Sequence, residues 1–485
     1  MANGLLYLLY KAVYNVYFHP LRHYPGPRWA AASRIPFLRA SLGGRLAQWV
    51  TEIHQNYGEV VRTAPDDLSF IDPQAWKDIY VHRPQHGTFQ KDPMFYITPV
   101  NGAHSLITAP DKDHSRMRRL VSHAFSEKAL KEMEPVIRSY VDLLIERLHE
   151  VTQKSAGAPV DMVKWYNWTT FDVIGDLTVG ESFHCLEGAD YHPWVSFLFE
   201  AIKSSVFIMA SRRYPFMKRF IRWAVPERVL RRREDHLRYT AEHVDKRLTM
   251  DMARPDFVSY ILRGQDEKGM STKEMHSNCS TILVAGSETT ATLLSGLTFY
   301  LLTNPDKYAK LVNEIRGRFQ SEDEMNTAEI SKMSYVQASV EEGLRMYPPV
   351  PTGLPRVVPK GGDYVSGRWV PGNTSVSVTQ LAAYRSELNF RDPYSFVPER
   401  WLEKKDPAFE LDRRDVLQPF SVGGRNCIGK HLAYAEMRLI LVKLLWNFDL
   451  AFSDPISQAH WADQQVFTLW QKLPLMVKLT PVART

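Results

Sequence analysis

One stretch of the sequence decides the fold: Phe420-Ser421-Val422-Gly423-Gly424-Arg425-Asn426-Cys427-Ile428-Gly429, directly before a helix-forming segment. A thiolate at Cys427 would lie just before a helix N-terminus, where free backbone N–H groups and the helix dipole stabilise an anion. Gly423 and Gly429 would let the backbone approach a flat cofactor, and Arg425 would supply a cation for a carboxylate. A single cysteine with no second ligand nearby suits haem iron better than zinc, which takes four protein ligands in structural sites.

This stretch resembles the haem-binding signature of the cytochrome P450 family, Phe-x-x-Gly-x-Arg-x-Cys-x-Gly, and every fixed position matches. The resemblance implies that Cys427 is the axial thiolate ligand of a haem b iron and that Phe420 packs beside it. The other cysteines, Cys185 and Cys279, match no motif of the family, and we interpret both as core residues. Three widely separated cysteines also argue against a disulfide framework and favour a reducing compartment.

A second motif lies in a long apolar helical pattern and reads Ala285-Gly286-Ser287-Glu288-Thr289-Thr290. Gly286 has no side chain, so a small molecule such as O₂ could lie against the helix. Glu288 and Thr289 form an acid–alcohol pair, in which the alcohol can hold oxygen and water while the acid relays protons from outside. The motif resembles the oxygen-activation motif of the family, which makes Ala285, Gly286, Glu288 and Thr289 the candidate catalytic residues.

A third motif pairs Glu342 with Arg345, which the i,i+3 spacing places on one face of a helix. In the family, a Glu-x-x-Arg helix locks to a second arginine, and the resemblance gives that role to Arg400. We expect these three residues to support the haem side without taking part in catalysis. Trp401 stands where phenylalanine is commonest, and we expect it to change packing but not the ion cluster.

The propionates of haem need cations, and the resemblance indicates Arg425, Arg356 and Arg118. Many family members have Trp-x-x-x-Arg where this chain has His114-x-x-x-Arg118. A histidine N–H can still reach a propionate, so we predict that role for His114; the alternative is a histidine that faces solvent.

The composition is that of a globular chain, with 44% hydrophobic and 24% charged residues over 485 positions. It excludes a disordered chain, a fibrous repeat and a multi-span membrane protein. Apolar spacing predicts a mainly helical single domain with a small β-sheet over residues 25–485, and the resemblance implies that this is the cytochrome P450 fold. The predicted helices cover 111–125, 127–152, 162–177, 190–209, 235–249, 271–303, 304–319, 334–347 and 430–447, and short strands are expected near 58–63, 67–71, 374–378 and 466–480.

Two segments suggest contact with a membrane. Residues 4–18 are apolar but too short to span a bilayer, which takes about 20 residues, so we interpret residues 1–24 as an anchor remnant followed by a proline hinge. An amphipathic surface helix is the alternative. Residues 212–233 carry nine cations and one acid among aromatic residues, which suits an anionic bilayer. Nucleic acid and a plain solvated helix face are the rival interpretations, but no nucleic-acid-binding signature accompanies the segment.

The resemblance implies a haem-thiolate monooxygenase that uses O₂, two electrons and two protons to hydroxylate or otherwise oxidise a hydrophobic small molecule, such as a secondary metabolite. The chain carries no flavin or nicotinamide fingerprint, so electrons would come from a separate NADPH-dependent reductase. Its docking surface would include the cations Arg116, Arg119, Lys128, Lys131 and Lys430. Membrane-anchored fungal members such as isotrichodermin-hydroxylase-like enzymes look similar, which implies a monomer on the endoplasmic reticulum with its catalytic domain in the cytosol.

Three alternatives stay open at this point. A haem-thiolate enzyme can couple phenols or close rings without inserting a hydroxyl. An O₂-independent isomerase or dehydratase would tend to lack the acid–alcohol pair, and a non-catalytic haem protein would leave the oxygen groove unexplained. The substrate pocket implied by the resemblance is apolar and includes Phe95, Ile97, Val100, Leu106, Phe207, Ile282, Val350, Leu354, Phe467 and Leu469.

Overall fold

A computed structural model of the protein describes residues 2–84, 86–97, 101–155, 157–190, 193–213, 227–250, 254–263, 269–404 and 406–483; for residues 2, 193–202, 227–234, 236, 455 and 457 it describes the backbone alone. The helices in chain order are α1 Ala2–Tyr17, α2 Arg28–Ala32, α3 Ile35–Leu42, α4 Leu46–Tyr57, α5 Pro73–Tyr80, α6 Asp111–Ser122, α7 Glu127–Lys154, α8 Met162–Val179, α9 Cys185–Gly188, α10 Pro193–Arg213, α11 Glu227–Leu248, α12 Phe257–Arg263, α13 Thr272–Thr303, α14 Pro305–Arg318, α15 Thr327–Ile330, α16 Ser334–Met346, α17 Gln380–Tyr384, α18 Lys430–Asn447 and α19 Pro455–Gln458.

The long helix α13 is the centre of the helical core. It begins at a capping box, in which the Ser271 side chain accepts from the Glu274 backbone and the Glu274 side chain accepts from the Ser271 backbone. It packs along α8, whose residues are nearly all buried. Of the helices in the described ranges, α13 alone is long and apolar enough to cross a membrane, but most of it is buried inside the protein. Its apolar character therefore serves the core.

The strands are short and form one main sheet with three small ones. The strands are β1 Val60–Ala64, β2 Asp67–Phe70, β3 Gln90–Lys91, β4 Val160–Asp161, β5 Arg356–Val357, β6 Asp363–Val365, β7 Arg368–Val370, β8 Ser375–Val378, β9 Phe448–Phe452, β10 Val466–Phe467, β11 Leu469–Trp470 and β12 Met476–Pro481. The main sheet has the order β1-β2-β8-β5-β3, with β2 and β8 parallel. The smaller sheets have the orders β4-β12-β9, β6-β7 and β10-β11.

The predicted fold class, mainly helical with a small sheet, is confirmed. The nine predicted helices all exist, with ends that differ by up to eight residues at the start of α11. The sequence patterns missed α4, α5 and the β6–β7 hairpin, because short elements show too few apolar repeats to define a period. Cys185 and Cys279 are buried, as expected of core residues.

The N-terminal helix α1 exposes apolar side chains along its length, with Leu5 72% exposed and Leu8 64% exposed. The segment after it is docked and does not act as a free hinge. Leu21 is fully buried, and the Arg62 backbone N–H donates to the Pro25 carbonyl at 2.7 Å. The predicted anchor region, residues 1–24, therefore has two environments: α1 exposes apolar side chains, whereas the segment from Leu21 onward is packed against the body of the protein.

Candidate active site

The segment around Cys427 forms a tight turn that places the thiol before α18. A short 3₁₀ turn covers Gly423–Arg425, and the Cys427 N–H donates to the Phe420 carbonyl at 2.8 Å. Burial raises the pKa of the Cys427 thiol, while the N–H of Gly429 and the charges of Arg118 and Lys430 oppose that shift. These donors and cations are the features that favour a thiolate ligand.

Gly423, one of the two glycines expected to admit a cofactor, has a different structural cause from the one expected. Gly423 has φ +77°, and a Cβ there would lie 2.2 Å from the Tyr80 carbonyl oxygen. It is therefore required by its own turn and by the chain beside it, rather than by a cofactor. A Cβ at Gly429 would meet only the Phe125 ring at 3.6 Å, which is ordinary contact.

An accessible space lies inside the protein beside the two motifs. Cys427 is accessible, and so is Ala285, although Leu283 and Ser287 on either side of Ala285 in α13 are buried. An uncovered alanine in a core helix and an uncovered cysteine before another core helix fit the two faces of a flat group. Gly286 does not face this space, because a Cβ there would lie 2.5 Å from Ile174 in α8. Its missing side chain permits close helix packing, which corrects the expectation that it makes room for O₂.

The acid–alcohol pair is divided between two faces of α13. The Thr289 hydroxyl donates to the Ala285 carbonyl at 2.6 Å, four residues earlier. Glu288 is fully buried and turns to Lys472, whose Nζ donates to Glu288 Oε1 at 2.5 Å and to Thr292 Oγ1 at 2.9 Å. Glu288 is thus held by an ion pair that the sequence patterns did not indicate.

A second buried acid, missed by the sequence patterns, lies against the same helix. Glu436 on α18 is 4% exposed and hydrogen-bonds to Thr290 on α13. Burial raises the pKa of Glu436 to about 8, so the side chain is a neutral carboxylic acid near neutral pH. The available signal was an acid on the apolar face of α18, between Leu432 and Ile440.

A cluster of cationic side chains lies beside this space, and its positive charges outnumber the carboxylates that face it. Arg425 donates to Asp111 Oδ1 at 2.6 Å and to the Ala109 carbonyl at 2.8 Å, while its Nη1 is buried without a partner. Arg356 Nε is also buried without a partner. Arg118 donates to the carbonyl and the side chain of Asn426, each at 2.6 Å, and so braces the turn before Cys427. Orphaned guanidinium donors of this kind call for carboxylates.

His114 and Lys91 show how strongly the cluster disfavours added positive charge. His114 is buried, which rules out the solvent-facing alternative, and burial together with Arg425 and Lys91 lowers its pKa to about 3. Burial, followed by Arg356 and Arg425, lowers the pKa of Lys91 to about 6. Lys91 was not among the predicted residues, since a lysine on a two-residue edge strand carries no pattern of its own. Two bound carboxylates would relieve this repulsion.

The predicted lock exists and is more extensive than expected. The side chains of Glu342, Arg345 and Arg400 are all 0% exposed. Arg345 binds both carboxylate oxygens of Glu342, at 2.8 and 2.7 Å, and Arg400 Nε lies 3.2 Å from Oε1. Trp401 donates its indole N–H to Glu342 Oε2 at 2.8 Å, so it belongs to the ion cluster, contrary to the expectation that it affects packing alone. Arg400 also pairs with Asp412.

A cavity of about 120 Å³ lies between the main sheet and α10, and no residue of the Cys427 signature or of the motif at 285–290 is in its lining. Of the predicted pocket residues that the structure describes, Phe95 alone lines this cavity, together with Val206, Pro355, Val466 and Thr468 at neighbouring positions. Its wall is more polar than the predicted apolar set, because hydroxyl groups and ion pairs join it: Ser69, Ser375, Ser377, Thr379, Arg34 with Asp67, and Arg213 with Asp92. Val100 of the predicted set lies outside the described residues.

The family assignment rests on a match over almost the whole domain. Residues 25–478 match the model of the family described as Cytochrome P450. The chain belongs to the cytochrome P450 family. The Cys427 signature, the motif at 285–290 and the lock all lie within the matched residues.

Three relatives show which P450 enzymes the chain is similar to. Cytochrome P450 monooxygenase lcsI of Purpureocillium lilacinum is 48% identical, over 100% of this chain and 94% of that protein. Averantin hydroxylase of Dothistroma septosporum is 44% identical, over 98% and 90%. Cytochrome P450 monooxygenase FUM2 of Gibberella moniliformis is 42% identical, over 96% and 99%. The chain is accordingly a P450 monooxygenase, an oxidoreductase.

The residues of this P450 fit the haem that the family binds. The accessible Cys427 offers a thiolate that would bind the iron, and the accessible Ala285 lies on the helix that carries the oxygen motif. The unpartnered donors of Arg356 and Arg425 suit two propionates. Cys427 would hold the iron, and Arg356, Arg425 and the neighbouring Lys91 and His114 would hold the carboxylates.

Proposed function

We propose that this P450 hydroxylates a hydrophobic secondary metabolite of a fungus, with electrons from an NADPH-dependent reductase. The observation that carries the proposal is the combination of an accessible Cys427 in a complete thiolate signature with an intact Thr289 on α13. Bound haem would supply the one-electron and O₂ chemistry. Averantin hydroxylase, one of the relatives, hydroxylates averantin as its name states, which supports a hydroxylation over an O₂-independent rearrangement.

The chain's own residues would divide the work around the bound cofactor. The Gly429 N–H and the charge of Arg118 stabilise the anionic form of Cys427. The Thr289 hydroxyl donates a hydrogen bond to the Ala285 carbonyl and can instead donate one to a small molecule bound beside α13. Glu288 is the nearest acid along the helix and Glu436 is bonded to Thr290, so both can hold or release a proton near Thr289.

The cavity favours a substrate with an apolar body and a few oxygen substituents. Phe95, Val206 and Val466 offer apolar contact, while Ser377 on β8 and Thr379 directly after that strand offer hydroxyl groups. An aromatic polyketide combines these properties better than a sugar or a charged metabolite. Incubation with averantin and other aromatic polyketides, the P450, a fungal reductase and NADPH, followed by mass analysis, tests the proposal. Addition of one ¹⁸O atom from ¹⁸O₂ supports hydroxylation; loss of two hydrogens without added oxygen supports oxidative coupling or ring closure instead.

Thr289→Ala is expected to uncouple NADPH consumption from product formation. The change removes the hydroxyl but keeps helix propensity high, so fold, haem content and substrate binding should persist. Peroxide should replace product because protons no longer arrive at the oxygen in the required order, and the yield of product per NADPH should fall by about tenfold or more. The measurement is product, peroxide and NADPH in the same reaction.

Thr303→Ala is the matched control for this variant. Thr303 lies on the same helix and makes the same bond to the carbonyl four residues earlier, at 3.1 Å from Phe299 O. Its replacement should leave coupling unchanged. If Thr289→Ala stays as tightly coupled as the parent, Thr290 has taken the role or the oxygen chemistry is misassigned.

We further propose that the reductase docks on the face that carries Lys128, Lys131 and Lys430. These three lysines are exposed. Arg116 is less suited to this role than expected, because it pairs with Glu274 at 2.5 Å and with Asp113. The exposed cations would attract an acidic partner and raise its association rate at low salt.

We also propose attachment to the endoplasmic reticulum membrane through α1, with the catalytic domain in the cytosol. The exposed leucines and tyrosines of α1 suit the interface of a bilayer. The predicted second contact, residues 212–233, lies largely outside the described residues, which include its side chains only at Arg212 and Arg213. Arg213 is engaged with Asp92 at 2.6 Å.

Deletion of residues 1–14 is expected to weaken binding to vesicles of anionic phospholipid without abolishing it. The deletion removes the exposed apolar helix but keeps Asn15, whose side chain donates to the Ala32 carbonyl at 3.0 Å and so holds the body's edge. The remaining binding should come from the basic segment and should fall with salt. Sedimentation with vesicles measures it; a fall to background at low salt would contradict the second contact.

A further inference from the structure

The pair between Glu288 and Lys472 is the buried feature that the proposed function leaves unexplained. The two side chains are 3% and 2% exposed, on elements far apart in the chain. Burial of two opposite charges costs several kcal/mol of desolvation per ion, which an ion pair offsets only when its geometry is good. A pair of well-packed apolar residues would stabilise the core at least as well, so stability alone does not account for this one.

Lys472 reaches the pair from the surface. It lies two residues after the end of β11, its neighbour Leu473 is 52% exposed, and its own side chain runs inward to α13. The hairpin before it is held rigidly. Trp470 stacks on Tyr347 with centroids 4.3 Å apart, and its indole N–H donates to the Pro348 carbonyl at 2.7 Å. The ammonium of Lys472 is therefore set at a fixed place beside the helix.

The two carboxylate oxygens of Glu288 differ in their hydrogen-bond partners. Oε1 accepts from Lys472 at 2.5 Å and lies 3.5 Å from the Thr292 hydroxyl, whereas Oε2 is buried without a partner. Burial raises the pKa of Glu288 and lowers that of Lys472, and each charge opposes the shift of the other. The phenol of Tyr347 is the other titratable group close to Glu288. A buried carboxylate oxygen without a hydrogen-bond partner lowers the stability of the folded protein, so its presence here indicates a functional role.

We propose that Lys472 is a positioning residue for Glu288, which fixes Oε1 so that Oε2 remains the oxygen that takes up a proton and passes it on beside Thr289. The inference rests on the proposed function, because it gives Lys472 a part in the proton supply assigned to Glu288. The proton comes from water and leaves from Oε2, so the carboxylate ends each cycle as it began. Lys472 keeps its own charge and touches neither substrate nor cofactor.

The first test compares Lys472→Met with Lys472→Arg in the haem-loaded enzyme. Methionine removes the charge with similar length, and we expect product per NADPH to fall about tenfold while peroxide rises. Arginine keeps the charge and should recover most of the coupling. Lys478→Met, on an exposed lysine of β12, is the control and should behave as the parent.

A second readout needs no substrate. Without the ammonium, Glu288 should be protonated at neutral pH, and the infrared spectrum of Lys472→Met should gain a carboxylic-acid carbonyl band. The double variant Glu288→Gln/Lys472→Met should lack that band, while neutral Glu436 contributes equally to both spectra. Absence of the gained band would overturn the proposal.

The double variant also covers the case in which Lys472→Met does not fold, since it leaves no buried charge unpaired. We expect it to fold, and its coupling should equal that of Glu288→Gln alone. Two results would show that the pair is only structural. The first is a double variant whose product per NADPH equals that of the parent. The second is a Lys472→Met protein that melts at a lower temperature but keeps the parent's product per NADPH. If Glu288→Gln and Thr289→Ala are both fully coupled, the proposed proton supply itself fails; if they uncouple and Lys472→Met does not, only the role of Lys472 fails.

Discussion

Replacement of Cys427 by alanine is expected to abolish the red-shifted carbon monoxide spectrum that marks a reduced haem with a thiolate ligand. The thiol is the accessible one of the three cysteines, and it alone lies in the P450 signature. Alanine offers no donor, so any haem retained would have a different axial ligand and no monooxygenase activity. The measurement is the difference spectrum of the reduced protein with carbon monoxide, together with haem content.

The other two cysteines provide the control for this result. Cys279→Ala removes a buried thiol from α13, and Cys185→Ala removes one from α9. Both variants should keep the spectrum, although each leaves a small cavity that lowers stability. A Cys427→Ala protein that keeps the red-shifted band would refute the assignment of the ligand.

Arg345→Ala is expected to give protein with little or no haem and a much lower melting temperature. The change leaves the Glu342 carboxylate, which is 0% exposed, short of its bidentate partner, and an uncompensated buried charge of this kind costs about 3–5 kcal/mol. It also removes the donor that three backbone carbonyls share, those of Tyr384, Pro393 and Ser395. Haem per protein and thermal unfolding measure the effect.

Arg391→Ala is the matched control, since its side chain is 64% exposed and pairs with Asp392 at 3.7 Å across the surface. An exposed pair of this kind contributes only about 0–1 kcal/mol. Normal haem content and normal melting in Arg345→Ala would show that the lock has no structural importance.

The lock also has a pH dependence whose sign follows from Glu342. Burial alone would raise the pKa of this carboxyl, but Arg345 and then Arg400 lower it below its usual value. A group with a depressed folded-state pKa stabilises the protein above its unfolded pKa, near 4.3, and loses that contribution as the pH falls through the folded value. The haem side should therefore loosen in acid and remain unaffected between neutral and mildly alkaline pH.

Motifs and helices were predictable because they depend on local order in the sequence. The apolar period of α13 and the fixed spacing in the Cys427 signature hold within one stretch of chain. The partners of those motifs were not predictable in the same way. Lys472 meets Glu288 across 184 positions, and Arg118 meets Asn426 across 308, so only the folded topology brings them together.

The glycines show a second limit of inference from a motif. Gly286 and Gly423 were both expected to make room for a bound molecule, O₂ or the cofactor. The structure shows instead that a side chain at Gly286 would clash with Ile174 and one at Gly423 with the Tyr80 carbonyl. A sequence motif specifies the residue type at a position, but it does not identify the neighbouring atoms that require that residue type. Trp401 is a similar case, because a change that looked like packing proved to donate a hydrogen bond to Glu342.

The lock that spans α16 and the segment around Arg400 also sets an order of events during synthesis. Arg400 follows Glu342 by 58 residues, so the ribosome exposes the acid well before its second cation exists. At roughly 5–20 residues per second, the delay is about 3–12 s. Glu342 must stay hydrated for that interval, and Cys427 emerges later still. The residues that would hold haem are consequently complete only after both partners of the lock have been made.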